Sequence, residues 1–235
     1  FIASPVDGAA IDESFDQTIA IDLFKYDEPA AYWYSYLNNG HNLHPFSTLT
    51  RGVGYLHASE SQQTLEFTGE MAGTNAPFSL PLSYACTYDD VKGFNLVGNP
   101  FTRNLKSGDI AIDDEPTYSF LLLNNDEDYE VCNMLDGDQI KPGQGFFIQA
   151  GDVNQTLYFN PSSSKDESEI GIISIVAGNE NKTDKAFIQI GGGNTLRKMN
   201  IANSSIVYVI NDGDDYAAAR VEELAGTMPV HFKAV

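Results

Sequence analysis

Basic residues are scarce. Among 235 residues, 13 Lys and Arg stand against 33 Asp and Glu, a formal charge of −20 at pH 7. Nucleic-acid binding depends on cations that neutralise phosphates, so this balance argues against it, and against docking on anionic lipid. Cysteine is nearly absent, with two residues, which excludes a miniprotein stapled by several disulfides. No hydrophobic run approaches the ~18 residues a membrane helix needs. Nothing at the start has the form of a signal peptide. Phe1 opens inside an apolar run without a Met, so further residues are expected to precede it. What is present is a hydrophobic content of 42% with 11% aromatics, ample for a packed core.

The apolar runs are short and alternate with a period of two. Thr64-Leu65-Glu66-Phe67, Thr156-Leu157-Tyr158-Phe159 and Phe187-Ile188-Gln189-Ile190 each divide their side chains between two faces, as half-buried strands do. Ser205 to Ile210 is a continuous β-branched and aromatic run, the mark of a strand covered on both sides. Turn formers separate these runs: Asn38-Asn39-Gly40, Asp136-Gly137-Asp138, Gly191-Gly192-Gly193-Asn194 and Asn211-Asp212-Gly213-Asp214. Short strands divided by such turns predict an all-β sandwich or barrel. Only Ala217 to Leu224 has helical propensity.

A repeat runs through this pattern. Gly52-Val53-Gly54-Tyr55-Leu56-His57-Ala58 precedes Gln63-Thr64-Leu65-Glu66-Phe67, and Gly143-Gln144-Gly145-Phe146-Phe147-Ile148-Gln149-Ala150 precedes Gln155-Thr156-Leu157-Tyr158-Phe159. The offset is 143 − 52 = 91 at the glycines and 157 − 65 = 92 at the leucines. Upstream, Phe1-Ile2-Ala3-Ser4-Pro5 matches Asn95 to Pro100, and Leu23 to Asp27 with Trp33-Tyr34 fall opposite Leu121 to Asn124 with Tyr129-Glu130. Each Gly-x-Gly lacks the third Gly and the helix start of a phosphate loop, so it reads as a strand entry. The Thr-Leu-x-Phe run is expected to pair back on it as a hairpin, the two hairpins being superposable.

The expected architecture is a duplicated β-sandwich or jelly-roll-like domain over residues 1–160, with halves of about 1–85 and 93–160. A polar linker over 161–169 follows, and then a small Ig-like β-sandwich module over 170–235 whose last strand, from Val230, lacks a closing partner. That module therefore reads as truncated.

Several segments resemble a family of secreted and cell-surface modules from Bacteroidetes. They are Phe1 to Val6, Asp22-Leu23-Phe24-Lys25-Tyr26 leading to Trp33, Gly52 to Ala58, Gly93 to Phe101, and Ile140 to Phe147. In the tail, Gly191 to Leu196 and Met228 to Ala234 are similar to the carboxy-terminal β-module of the same proteins. The resemblance implies an extracellular or outer-surface location near the C-terminal end of a large, adhesin-like protein. It carries no catalytic motif.

Candidate chemistry is thin. His41 and His44 lie three apart in a loop without partners at metal-ligand spacing, while His57 and His231 fall in strand patterns. No Gly-x-Ser-x-Gly elbow, zinc motif or Walker loop occurs. Cys86 and Cys132 read as buried thiols, with a disulfide the alternative that an oxidising surface permits. Asp126-Glu127-Asp128, Asp136-Gly137-Asp138 and Asn211 to Asp215 lack the EF-hand spacing and read as turns rather than calcium loops. The densest aromatic cluster is Tyr32-Trp33-Tyr34-Ser35-Tyr36. In a strand Tyr32, Tyr34 and Tyr36 share one face, and such a ladder is the candidate ligand-binding site, for stacking on sugar rings. The expected function is a non-enzymatic surface or secreted module with an adhesion or structural role, without cofactor or metal. Its expected partners are other domains of a larger protein and surface glycans or proteins. The alternative is a carbohydrate-binding or accessory β-domain of a secreted hydrolase.

Overall fold

The computed structural model describes residues 1–11, 21–36, 46–59, 62–71, 73, 76–124, 127–159, 170–178, 183–201, 207–223 and 229–232. These residues form β-sheets whose strand pairs are antiparallel except for the parallel pair Thr183–Ile190 and Asp214–Val221, and one 3-10 turn, Met134–Asp136, with no α-helix among them. The fold is an all-β sandwich. No helix of the described residues is long and apolar enough to cross a membrane. Asn38, Asn39, Gly40, His41, His44, Asp126 and the 161–169 linker lie outside the described residues.

The first sheet runs in the order Ile2–Ala3, Gly54–Ser59, Ile21–Asp27, Tyr32–Ser35. The second runs Phe94–Gly98, Gly145–Gln149, Ser119–Leu123, Tyr129–Asn133. Their registers correspond. Ile2 pairs with Tyr55 and Ala3 with Gly54, as Val97 pairs with Phe146 and Gly98 with Gly145. Further out, Tyr26 pairs with Trp33 and Leu123 with Tyr129. One detail differs from the sequence alignment. Phe24, not Leu23, stands where Leu121 stands, because Phe24 pairs with Leu56 and Leu121 with Phe147. With a side-chain period of two, the neighbouring residue would face the wrong layer.

The sheets also cross-connect in matched fashion. Ala3 N donates to Gly143 O at 2.9 Å, and Gly98 N donates to Gly52 O at 2.9 Å. Ile2 bridges Gln144 as Val97 bridges Val53. Gly54 and Gly145 meet at this junction. A Cβ on Gly54 would stand 2.5 Å from Val97 O, and one on Gly145 would stand 2.8 Å from Ile2 O and 3.3 Å from Gly54 Cα. The Gly-x-Gly pairs are therefore needed where two backbones touch. Their first glycines, Gly52 (φ 79°) and Gly143 (φ 72°), occupy the left-handed region that favours glycine. These contacts pair the Ile2–Ala3 and Gly54–Ser59 strands of the first sheet with the Phe94–Gly98 and Gly145–Gln149 strands of the second.

The expected hairpins do not form. Thr156–Phe159 leaves the second sheet and joins a third, in the order Glu115–Pro116, Ile110–Ile112, Thr156–Phe159, Phe78–Pro81. Leu157 and Phe159 are fully buried there, facing Phe120, Phe146 and Ile148 across the core. Alternation sets which face of a strand is apolar, but that face can be buried across a sandwich as well as beside its sequence neighbour. In the first half, residues 62–70 carry no assigned strand, and Leu65 and Phe67 are half-buried against Tyr55 and Leu49. The apolar positions match between halves. The depth does not. Phe78–Pro81, from before the expected boundary at 85, supplies an edge strand to the second half's sandwich.

The chain from Gly171 to Phe232 builds a six-stranded sheet in the order Gly171–Gly178, Thr183–Ile190, Asp214–Val221, Val207–Asn211, Val230–Phe232, with Leu196–Arg197 also paired to Asp214–Val221. Asp214–Val221 corrects the helix expected from Ala217 onward. Ala217, Ala218 and Ala219 are buried in a strand flanked on both edges, where packing overrides helix propensity. One face of this sheet, through Phe187, Leu196, Met199 and Ala218, packs on Phe94, Leu121, Val131 and Phe147 of the second sheet. Phe147 is the hub, with the rings of Phe1, Tyr26, Trp33, Phe94 and Tyr129 centred 5.2 to 6.5 Å from it.

Candidate functional site

The connection from the first half into the second is a strap, Ser83 to Gly93, between the Phe78–Pro81 and Phe94–Gly98 strands. Its two ends are tied together by Asn95. Ser83 N donates to Asn95 Oδ1 at 2.9 Å, and Asn95 Nδ2 donates to Ser83 O at 2.9 Å and Gly93 O at 2.7 Å. Glu28, at the tip of the hairpin joining Ile21–Asp27 to Tyr32–Ser35, reaches into the strap and is only 3% exposed. Its carboxylate accepts from Ser83 Oγ at 2.6 Å, Ala85 N at 2.8 Å, Cys86 N at 3.1 Å and Gly93 N at 2.8 Å. Burial pushes the Glu28 carboxyl up, but the Ser83 hydroxyl and these backbone donors outweigh it and hold it below the usual value.

The strap forms one wall of a cleft of about 240 Å³ at the junction of the second sheet and the six-stranded sheet. Tyr84, Asp89 and Lys92 come from the strap. The floor is Gln149 to Gly151, at the end of the Gly145–Gln149 strand of the second sheet. Asn194, Thr195 and Arg197, with Tyr216, close the far side.

The floor and far side are fixed by hydrogen bonds. Gln149 Nε2 donates to Lys92 O at 2.9 Å, and its Oε1 accepts from Arg197 N at 2.7 Å. Ala150 N donates to Gly93 O at 2.8 Å. A Cβ on Gly93 would stand 2.3 Å from Ala150 O, so only glycine lets the strap approach this closely. Asn194 Nδ2 donates to Glu115 O at 2.9 Å and Thr117 Oγ1 at 3.1 Å. The Arg197 guanidinium pairs with Asp214. Lys92 Nζ lies 4.7 Å from the centre of the Tyr84 ring, a cation–π contact.

Beneath the cleft a buried polar cluster joins the two sheets. Ser119 Oγ donates to Gln189 Oε1 at 3.0 Å, and Asn133 Nδ2 donates to Ser119 Oγ at 2.6 Å and Gln189 Oε1 at 3.1 Å. Gln189 Nε2 continues the chain to Asn194 O at 2.8 Å. Asn133 and Gln189 are wholly buried, so their mutual satisfaction is what makes this interface tolerable.

The tyrosine ladder lies elsewhere. Tyr32 and Tyr34 share an exposed face of the edge strand, 57% and 39% exposed, with ring centres 5.1 Å apart at 71°. Tyr36 is not part of their surface: it follows the strand and packs on Phe46 at 5.6 Å. Trp33 faces the aromatic hub. The two exposed rings meet edge to face and present no common plane. Cys86 and Cys132 are separate, buried, free thiols. Cys86 Sγ accepts from Tyr88 N at 3.3 Å, while Cys132 lies in the core of the second half, where burial pushes its thiol up. The acidic turns have structural roles. Asp212 (φ 51°) and Gly213 (φ 89°) form the turn from Val207–Asn211 into Asp214–Val221, and Asp138 Oδ2 accepts from Asn133 N at 2.9 Å.

Comparison with known proteins returns no matching family model, no matching curated protein and no matching solved structure.

Proposed function

We propose that this chain is a non-enzymatic module of a secreted or outer-surface bacterial protein, serving adhesion or structure beside other domains. The observation that carries it is the junction of the second half with the six-stranded sheet. There Ser119, Asn133, Gln189 and Asn194 bind one another and the backbone, so they work as a lock. Burial raises the Tyr26, Tyr55, Tyr129 and Cys132 groups above their ordinary values, and these belong to the core and the aromatic hub. They do not line the cleft. A module locked in this way suits display of a surface. The resemblance to Bacteroidetes surface modules and the charge of −20 fit the same location. Antibodies raised against the purified chain should label intact cells of the source bacterium, and deletion of the encoding gene should reduce adherence or surface integrity. Labelling that requires cell lysis would refute the reading.

A second reading, carbohydrate binding or an accessory role beside a secreted hydrolase, rests on the exposed Tyr32–Tyr34 pair. A Tyr34→Ala chain that binds glycans as the wild type does would remove that pair from consideration.

A further inference from the structure

We infer that the cleft between the strap and the six-stranded sheet is a binding site for a neutral saccharide, holding one ring of a glycan. The inference rests on the surface-module reading for its biological setting, but the site is argued from its own chemistry.

Three features converge. First, the cleft has a rigid frame and free walls. Gln149, Asn194 and Arg197 are held by the contacts already described, so the frame is set before a ligand arrives. The Asp89 carboxylate, the Thr195 hydroxyl and the phenol hydroxyls of Tyr84 and Tyr216 make no hydrogen bond among the described residues. Lys92 Nζ rests on the Tyr84 ring rather than on a carboxylate. These walls present donors and acceptors together, which a ligand bearing several hydroxyls can satisfy at once.

Second, the charge is balanced. Lys92 and Arg197 stand against Asp89 and Asp214, so the cleft is locally neutral in a chain of −20. An anionic ligand would meet the long-range repulsion of the whole protein. A cationic one would compete with Lys92 and Arg197. A neutral polyol avoids both penalties, and its hydroxyls can accept from Lys92 while donating to Asp89.

Third, the size is right for one ring. The volume of about 240 Å³ lies just below the ~300 Å³ at which pockets for larger ligands begin. The strap position that places Asp89 and Lys92 is held by Glu28 and Asn95, so both residues act from a pinned loop.

The test uses the whole 235-residue chain on an array of neutral and of carboxylated oligosaccharides, followed by titration calorimetry with the best neutral binder. Wild type, Asp89→Asn, Lys92→Ala and Tyr34→Ala are compared. Asp89 is exposed and Lys92 half-exposed, so unchanged melting temperatures verify that both variants fold. Binding of a neutral glycan that weakens about tenfold or more in each cleft variant, and is unchanged in Tyr34→Ala, is the expected result; tenfold corresponds to ~1.4 kcal/mol. Absence of glycan binding overturns the inference, as does preference for carboxylated glycans. So does binding that both cleft variants retain. An adherence assay with the same proteins separates the two ideas: adherence without glycan binding leaves the surface-module reading standing and removes the cleft.

Discussion

Replacing Glu28 tests the structural logic most directly, because one carboxylate serves four donors from the strap. In Glu28→Ala the Ser83 hydroxyl and the N–H groups of Ala85, Cys86 and Gly93 lose their acceptor. A hydrogen bond to a charged group contributes ~1.5–3 kcal/mol, and an orphaned buried donor costs ~1–3 kcal/mol. Ala85 is exposed and Ser83 half-buried, so water can reach part of the strap and the terms do not simply add. The expected loss is about 3–5 kcal/mol at pH 7. Glu28→Gln keeps one acceptor oxygen but turns an amide towards N–H groups, and should lose about 2–3 kcal/mol.

The same carboxyl predicts a pH signature. Its folded value lies below that of an unfolded Glu, ~4.3. Between the two values the unfolded chain binds more protons, so this contribution to stability is whole above ~4.3 and is lost as pH falls through the folded value. Urea unfolding from pH 7 to pH 3 would measure it. The relevant quantity is the stability difference between wild type and Glu28→Gln, because acidification also relieves the repulsion within a chain of −20. That difference should stay level above about pH 5 and shrink below it. A difference under ~0.5 kcal/mol at pH 7, or one that stays constant down to pH 3, would refute the latch.

Gly145→Ala places a Cβ against Ile2 O at 2.8 Å and Phe1 Cβ at 3.0 Å, and should cost about 2–3 kcal/mol in thermal unfolding, since backbone must move to admit it. Phe159→Ala, at a fully buried ring, should cost about 3–5 kcal/mol, and Phe67→Ala, at a half-buried one, only ~1–2 kcal/mol; equal losses would contradict the different depths of the two halves. Asn133→Ala strips partners from Ser119, Gln189 and Leu135 N and should cost about 2–3 kcal/mol, with faster amide exchange concentrated in Thr183–Ile190. Cys86 and Cys132, both free and buried, should react with a thiol reagent only after unfolding, with two thiols titrated and no reductant required.

Alternating runs made much of this fold legible. Phe146 and Ile148 point to one core and Phe147 to another, as the period of two requires. Thr183–Ile190 and Val207–Asn211 are strands where β-branched and aromatic residues cluster. The misses share a cause. Ala217 to Ala219 read as helix because small unbranched residues favour it locally, but two sheet edges compete for that segment and decide it. Thr156–Phe159 carries its apolar face plainly, yet that face does not name its partner sheet. Glu28 is one of 33 acidic residues, and nothing local marks it as the one that is buried. The cleft draws on four separate stretches of chain. Its clearest signal was the Gly191-Gly192-Gly193-Asn194 turn, where Gly193 (φ 89°) packs against Tyr118 and the next two residues line the cleft.

The cleft lies where the registers of the two sheets stop matching. At the junction the halves match even in their caps: Ser4 Oγ accepts from Val6 N at 3.2 Å, and Asn99 Oδ1 accepts from Phe101 N at 3.0 Å. Moving outward along the Gly-x-Gly strands, the match ends at the position four residues past the second glycine. There the second half has Gln149 and the first has Ala58. Gln149 spans from the strap to Arg197 with both ends of its amide, a reach that an alanine methyl cannot provide. Only the second half, moreover, receives the six-stranded sheet on the face bearing Phe147 and Leu121. Where contacts repeat, they hold the two halves together, and Gly54 and Gly145 are confined to glycine by the same backbone approach. Where they stop repeating, side chains are released from that constraint, and polar groups from three different layers meet around an open volume. That asymmetric corner is where the physical chemistry leaves room for recognition.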